Sequence, residues 1–274
     1  MRPVEKQQDL RTVVHTTWEK FAFRYGIRSR AKLHLPDFLG IGAQKAGTTW
    51  LDRNMRAHPD LFLTSPKELH YFDLHFHESL KEYSRKLRPG LGKVRGEITP
   101  GYSTLTRSRV RFIRALMPDL RLLFLMRNPV DRAWSQAMMT LVSKPGRPFE
   151  SVKEAELLEF FRSPACRLRG NYLRTLRIWE STFPKDQLYV GFYEDIKQRP
   201  QELLREVFRH VGVREEVDWD SMPYREVIHR GAGIPMPPRI REALGALYAP
   251  EIERLYQRFG DRVAGWRVRT PAGR

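Results

Sequence analysis

Phe38-Leu39-Gly40-Ile41-Gly42-Ala43-Gln44-Lys45-Ala46-Gly47-Thr48-Thr49-Trp50-Leu51 decides the fold. An apolar run of strand character enters a loop flanked by glycines, and the loop opens into a helix. Strand, loop and helix start in that order form a cradle for an anion. The backbone N–H groups and the positive end of the helix dipole converge on one spot.

The spacing compares with the phosphate-binding pattern G-x-x-x-x-G-K-[ST]. Gly42 and Gly47 stand at the right separation and Thr49 is in place, but Thr48 occupies the lysine position and the lysine, Lys45, lies inside the loop. A nucleotide-hydrolysing protein of this type also needs a carboxylate at the end of a later buried strand to help hold magnesium. The best later strand is Leu120-Arg121-Leu122-Leu123-Phe124-Leu125-Met126, and it runs into Arg127-Asn128-Pro129. A cation stands where the carboxylate belongs. Cations at two strand ends suit a ligand with more than one phosphate-like group and chemistry without magnesium, so no metal-ligating set is assigned.

Three segments together resemble the sulfotransferases that use 3′-phosphoadenosine 5′-phosphosulfate (PAPS). Gln44-Lys45-Ala46-Gly47-Thr48-Thr49-Trp50 looks like that family's 5′-phosphosulfate loop. Leu123 through Ser135 looks like its 3′-phosphate motif. Pro66-Lys67-Glu68-Leu69-His70-Tyr71-Phe72-Asp73 looks like the K-E-x-H-F-F segment of its carbohydrate-type branch, which includes the heparan-sulfate type. The likeness runs over about residues 36–267 and implies a P-loop-like three-layer α/β fold, a mostly parallel sheet flanked by helices. It also implies a division into a basic extension over 1–31 and a single sulfotransferase domain over 32–270.

The resemblance implies roles for particular residues. Lys45 would stabilise charge on the departing phosphate. Ala46, Gly47, Thr48 and Thr49 would hold the 5′ end of the cofactor. Trp50 would pack on the adenine or in the core. Arg127 and Ser135, eight residues apart on a strand end and the next helix, would take the 3′-phosphate. Pairing of Arg127 with Asp119 or Asp131 is the plainer alternative. Glu68 is the candidate general base, its pKa lifted by apolar neighbours Leu69, Tyr71 and Phe72. An ion pair with Lys67 or Lys45 is the competing reading. His70 is a rival base, or a residue that orients the first. Tyr172 reaches the adenine edge or sits in the core. Arg230 and Gly231 occupy the place of the family's late basic-glycine loop over the cofactor.

Composition narrows the partners. Lys and Arg number 49 against 32 Asp and Glu, a net charge of +17. That charge favours anions, yet the chain lacks the aromatic-basic motifs of common nucleic-acid modules, so a polyanionic cofactor and an acidic small-molecule or glycan acceptor are expected rather than nucleic acid. Cys166 is the single cysteine, which excludes an intrachain disulfide. Without an apolar run long enough to span a bilayer and without an apolar leader, a soluble cytoplasmic protein is expected. Two other classes fit less of the sequence. A nucleotide-dependent kinase would turn over ATP with magnesium. A non-catalytic basic protein would bind nucleic acid with strong salt dependence and ignore adenosine 3′,5′-bisphosphate (PAP).

Alternating apolar and amphipathic stretches predict strands over 38–42, 61–64, 93–98, 120–126 and 188–192. They predict helices over 7–23, 48–58, 107–117, 131–142, 171–183, 201–211 and 240–259. Residues 144–148 and 214–238 read as loops.

Overall fold

The computed structural model describes residues 20–22, 33–143, 146–228 and 233–267. Its centre is a five-stranded sheet in the order β2-β3-β1-β4-β5. The strands are β1 (Phe38–Gly42), β2 (Leu61–Leu63), β3 (Val94–Ile98), β4 (Arg121–Met126) and β5 (Leu188–Phe192). Every pairing is parallel: Phe38 faces Gly96 on one side and Arg121 on the other, and Met126 faces Phe192. All of β1 is buried, as is β4 after its first residue. A strand buried on both pleat faces needs cover above and below, which explains the unbroken apolar runs in the sequence.

The cover comes from crossover helices. They are α1 (Thr48–Ala57), α2 (Leu80–Leu87), α3 (Arg107–Leu116), α4 (Pro129–Ala137), α5 (Glu154–Arg162), α6 (Pro164–Gly170), α7 (Tyr172–Glu180), α8 (Pro200–Val211) and α9 (Pro238–Phe259). After β1 the chain turns toward β3 and β2; after β3 it crosses to β4 on the opposite side. The carboxyl ends of β1, β3 and β4 therefore border the point where strand order reverses, where open α/β sheets hold their ligands.

Local chemistry sets the helix bounds. Asn128 caps α4, its Oδ1 accepting from the Val130 N–H at 3.0 Å, with Pro129 at the first helical position. Gly212 ends α8 at φ 83°. The three helices α2, α5 and α6 have no counterpart in the sequence prediction. In α2, Leu80, Tyr83 and Leu87 face inward among five polar residues, and Ser79 caps the start. Between α5 and α6, Ser163-Pro164 splits what would be one amphipathic stretch. The expected helix over 131–142 ends at Ala137 and continues as a π-helical segment, Met138–Ser143. Of the helix expected over 7–23, residues 20–22 are described and helical, with Lys20 and Ala22 buried; the rest lies outside the described residues.

Candidate active site

The loop after β1 is held from the neighbouring strand. Ala43 N–H donates to the Leu125 carbonyl at 2.7 Å. Lys45 takes up a left-handed backbone at φ 69°, and Gly47 enters α1 at φ 84°. Gly47 brings no side chain to cap the helix, so the open N–H groups of its first turn face the loop. A Cβ at Gly47 would stand 2.2 Å from Ile196 Cδ1 and 3.1 Å from Tyr193 Cδ2, which accounts for glycine there on steric grounds as well. Lys45 Nζ reaches within 3.9 Å of the Met139 sulfur, and Thr48 is buried at the helix start.

Arg127, just past β4, donates from Nη1 to the Lys45 carbonyl at 3.1 Å, and its guanidinium lies 4.5 Å from the Tyr193 ring centre. It thus ties the strand end to the anion loop. Among the described residues it forms no ion pair; Asp131 lies 3.7 Å from Arg241 instead. Ser135, half-buried, follows in the second turn of α4.

Two aromatic assignments take the core alternative. Trp50 is 4% exposed, and its indole N–H donates to the Tyr224 carbonyl at 3.0 Å. Its surface is spent on packing α1 against the 223–225 turn. Tyr172 is wholly buried, and its hydroxyl donates to the Arg127 carbonyl at 2.9 Å. Burial pushes that phenol upward in pKa. It supports the strand end from within, which corrects its placement at an adenine edge. Arg230 and Gly231 lie outside the described residues.

The 65–73 segment brings the acid–base candidates together. Glu68 and His70 both have left-handed backbones, at φ 64° and 53°. Together with Lys45 they are the three non-glycine residues of positive φ among the described residues. Each such residue carries roughly 1 kcal/mol or more of local strain, which persists where surrounding structure imposes it and concentrates at functional positions. Glu68 Oε1 accepts from Lys67 Nζ at 2.6 Å, and its other oxygen stands 3.4 Å from His70 Nε2. His70 Nδ1 meets both Asp73 oxygens, at 2.9 and 3.1 Å. With a proton on Nδ1 committed to Asp73, Nε2 meets the Glu68 carboxylate favourably only when a further proton lies between them. Glu68, His70 and Asp73 therefore form one continuous row of polar contacts.

The expected desolvation of Glu68 by its neighbours does not occur. Its side chain is 39% exposed and paired with Lys67, while Leu69, Tyr71 and Phe72 turn into the core. They pack there around a different carboxylate, Glu97, near the end of β3. Glu97 accepts from Tyr83 at 2.7 Å, Tyr102 at 2.9 Å and Thr99 at 2.7 Å, and also from the Leu69 N–H. Burial raises its carboxyl pKa, and these hydrogen bonds partly offset the rise. Thr99 also reaches the His70 N–H, at 3.5 Å. Glu97 is thus a buried post beneath the 68–70 turn. The sequence signals it only as a carboxylate in an otherwise strand-like run. Asp73 likewise carries a signal, its i,i+3 spacing from His70. Gly101 crowds it, since a Cβ there would stand 2.2 Å from Asp73 Oδ2.

The arrangement sets an anion cradle with two cations beside a carboxylate–imidazole pair, suited to transferring an anionic group onto an acceptor that must lose a proton. Comparison with known proteins identifies the family. The sulfotransferase domain family matches residues 35–222. Mouse heparan sulfate glucosamine 3-O-sulfotransferase 6 is 37% identical over 256 residues, covering 84% of this chain and 73% of the relative. Mouse heparan sulfate glucosamine 3-O-sulfotransferase 3B1 is 34% identical over 187 residues, which are 66% of this chain and 47% of the relative. The chain spans about half the length of several curated relatives it matches. A sulfotransferase crystal structure from Alicyclobacillus acidocaldarius superposes with a TM-score of 0.67 at 25% identity, covering 85% of this chain and 98% of that one. A mouse sulfotransferase solved in complex with PAP shares the fold, with a TM-score of 0.53 at 16% identity over 92% of this chain and 93% of that one.

The cytoplasmic expectation is overturned. A membrane-associated sulfotransferase from Dictyostelium discoideum is among the relatives, 33% identical over 108 residues, 38% of this chain and 23% of the relative. A lone cysteine is compatible with either side of a membrane. Among the described residues no helix is long and apolar enough to cross a membrane. With the family match spanning residues 35–222, most of the chain, and a relative 37% identical over 84% of it, this chain belongs to the sulfotransferase family.

Proposed function

We propose that the protein transfers a sulfuryl group from PAPS to a hydroxyl of a sugar, within a single transfer unit over residues 32–270. The observation that carries the reading is the coincidence of strain and chemistry: Lys45, Glu68 and His70 alone among described non-glycine residues hold left-handed backbones. The residues fit the donor. The helix start at Gly47 is uncapped, and Lys45 and Arg127 bring positive charge to the loop and the adjoining strand end. When bound, PAPS supplies an activated sulfuryl group joined to a phosphate leaving group. The loop N–H groups, Thr48 and Thr49 would hold its 5′ end, and Arg127 with Ser135 its 3′-phosphate.

Lys45 stabilises the negative charge that grows on the leaving oxygen, an interaction stronger in the transition state than before it. Glu68 takes the proton of the acceptor hydroxyl. His70, oriented by Asp73, receives that proton from Glu68 or shares it. Lys67, 2.6 Å from one Glu68 oxygen, fixes the carboxylate in place and leaves the other oxygen on the His70 side. The names of the 3-O-sulfotransferase relatives support a sugar acceptor, and the excess of positive charge favours an acidic glycan.

The test is a screen with PAPS and a panel of glucosamine-containing oligosaccharides, neutral sugars and phenols, read by mass spectrometry. A sulfo group added to an oligosaccharide hydroxyl is the expected product. Transfer to phenols alone, or magnesium-dependent ATP turnover without sulfo transfer, would overturn the reading.

A further inference from the structure

Just beyond that row of polar contacts, the turn that starts at His70 ends in a cluster the transfer chemistry does not use. His75-Phe76-His77-Glu78 places two imidazoles at alternate positions and a carboxylate next to the second. One donor atom from each of His75, His77 and Glu78 lies within 4.8 Å of the other two. His75 Nδ1 is 3.1 Å from Glu78 Oε1, and the two imidazole centres are 6.1 Å apart. Both histidines are exposed and Glu78 is half-buried.

The backbone beneath them is pinned. His75 N–H donates to the His70 carbonyl at 2.9 Å, and Glu78 N–H to the His75 carbonyl at 2.9 Å. The Glu78 carbonyl accepts from Tyr71 at 3.2 Å and from Lys20 at 3.1 Å. Phe76 is the anchor. Its ring packs edge-on against Phe112 at 5.2 Å, with the Arg109 guanidinium 3.3 Å from its centre. With Phe76 turned inward, the residues on either side are presented outward together.

We propose that His75, His77 and Glu78 bind a divalent transition-metal ion of the zinc class. Zinc bonds of about 2.0–2.2 Å to nitrogen and oxygen put neighbouring ligand atoms of a tetrahedral site roughly 3.3–3.5 Å apart. The His75–Glu78 pair, at 3.1 Å, is slightly closer than that and needs only a small opening, and an exposed His77 closes the remainder by side-chain rotation. Two imidazoles with one carboxylate select zinc, cobalt, nickel or copper over magnesium and calcium, which prefer all-oxygen sites. Three protein ligands leave a position for water, so the ion closes the far end of the turn that carries His70.

The site is tested on the untagged full chain, independently of sulfo transfer. Calorimetric titration with Zn²⁺ and visible absorption on adding Co²⁺ should show one ion per chain, with Mg²⁺ giving no signal. His75→Ala and His77→Ala should each lower zinc affinity on the order of 10–100-fold or more, and Glu78→Gln less. PAP-induced thermal stabilisation should be retained in all three variants, which shows that they fold. Absence of a one-to-one site, equal binding of magnesium, or unchanged zinc affinity in the His75→Ala/His77→Ala double variant would overturn the proposal.

Discussion

Gly47→Ala probes the loop on which the whole site depends. Two separable costs follow from the structure. The backbone at φ 84° is left-handed, which costs an L-residue with a side chain about 1–2 kcal/mol. The added Cβ would also stand 2.2 Å from Ile196 Cδ1, and overpacking of this kind costs about 1–3 kcal/mol. Together they come to about 2–5 kcal/mol, a large fraction of the ~5–15 kcal/mol that holds a domain together. The two costs can be told apart because Ile196→Val deletes the clashing Cδ1 atom, at an expense of about 0.5–1.5 kcal/mol on its own. Urea denaturation of wild type, both single variants and the double variant gives the coupling. The double variant should be less destabilised than the sum of the singles by about 1 kcal/mol or more, with the backbone cost remaining. The same push reaches Tyr193, whose ring lies under Arg127, so PAP-induced thermal stabilisation should also shrink in the single variant and partly return in the double. Strict additivity, or a Gly47→Ala cost well below 1 kcal/mol, would refute the steric account of this loop.

Arg127→Ala should weaken PAP binding about 10–100-fold, the worth of a charge-assisted hydrogen bond, with a smaller effect on turnover at saturating PAPS. A variant that still prefers the 3′-phosphate as strongly as wild type, judged against the analogue without it, would clear Arg127 of that role. Glu97→Gln should destabilise by about 1–3 kcal/mol, because an amide N–H₂ would face hydrogen-bond donors; equilibrium denaturation measures this. Burial raises the Glu97 pKa, so the folded state holds that proton more tightly than the unfolded one. The associated stability is fully present below the unfolded value and is lost as pH rises through the folded value. Wild-type stability minus that of Glu97→Gln should therefore fall with rising pH across that window, and a flat difference would count against the raised carboxyl. Asp73→Asn should slow sulfo transfer at least about tenfold while leaving PAP affinity unchanged, since the His70 Nδ1 proton loses its carboxylate; equal loss of both would make Asp73 a folding residue instead.

Much of the architecture was legible because it is written locally. The apolar runs at Phe38, Leu122 and Leu188 are strands, and the glycines around Lys45 mark the cradle. Arg127 was legible as a cation at a strand end. Helices α5 and α6 were not, because each buries only two residues and Ser163-Pro164 interrupts the pattern; α2, by contrast, carries a readable stripe in Leu80, Tyr83 and Leu87 with Ser79 as its cap. The environment of Glu68 differs for a tertiary reason: its apolar sequence neighbours turn away from it and shut water away from Glu97 instead. No spacing along the chain announces that Glu97 and the 68–70 turn meet, since the contact is made by β3 pairing with β2, from whose end that turn runs. Trp50 and Tyr172 show the same limit, for an aromatic residue near a nucleotide loop reads alike whether it faces the ligand or the core.

The proposed function turns on Glu68 removing the proton from a sugar hydroxyl as sulfur is transferred. The most direct measurement compares wild type with Glu68→Gln at saturating PAPS, following sulfo addition to a glucosamine-containing oligosaccharide by mass spectrometry, with PAP affinity measured in parallel. Unchanged PAP affinity and turnover lower by about 10²–10⁴-fold, the usual contribution of a general base, are expected. Turnover near that of wild type by the variant would contradict this role for Glu68.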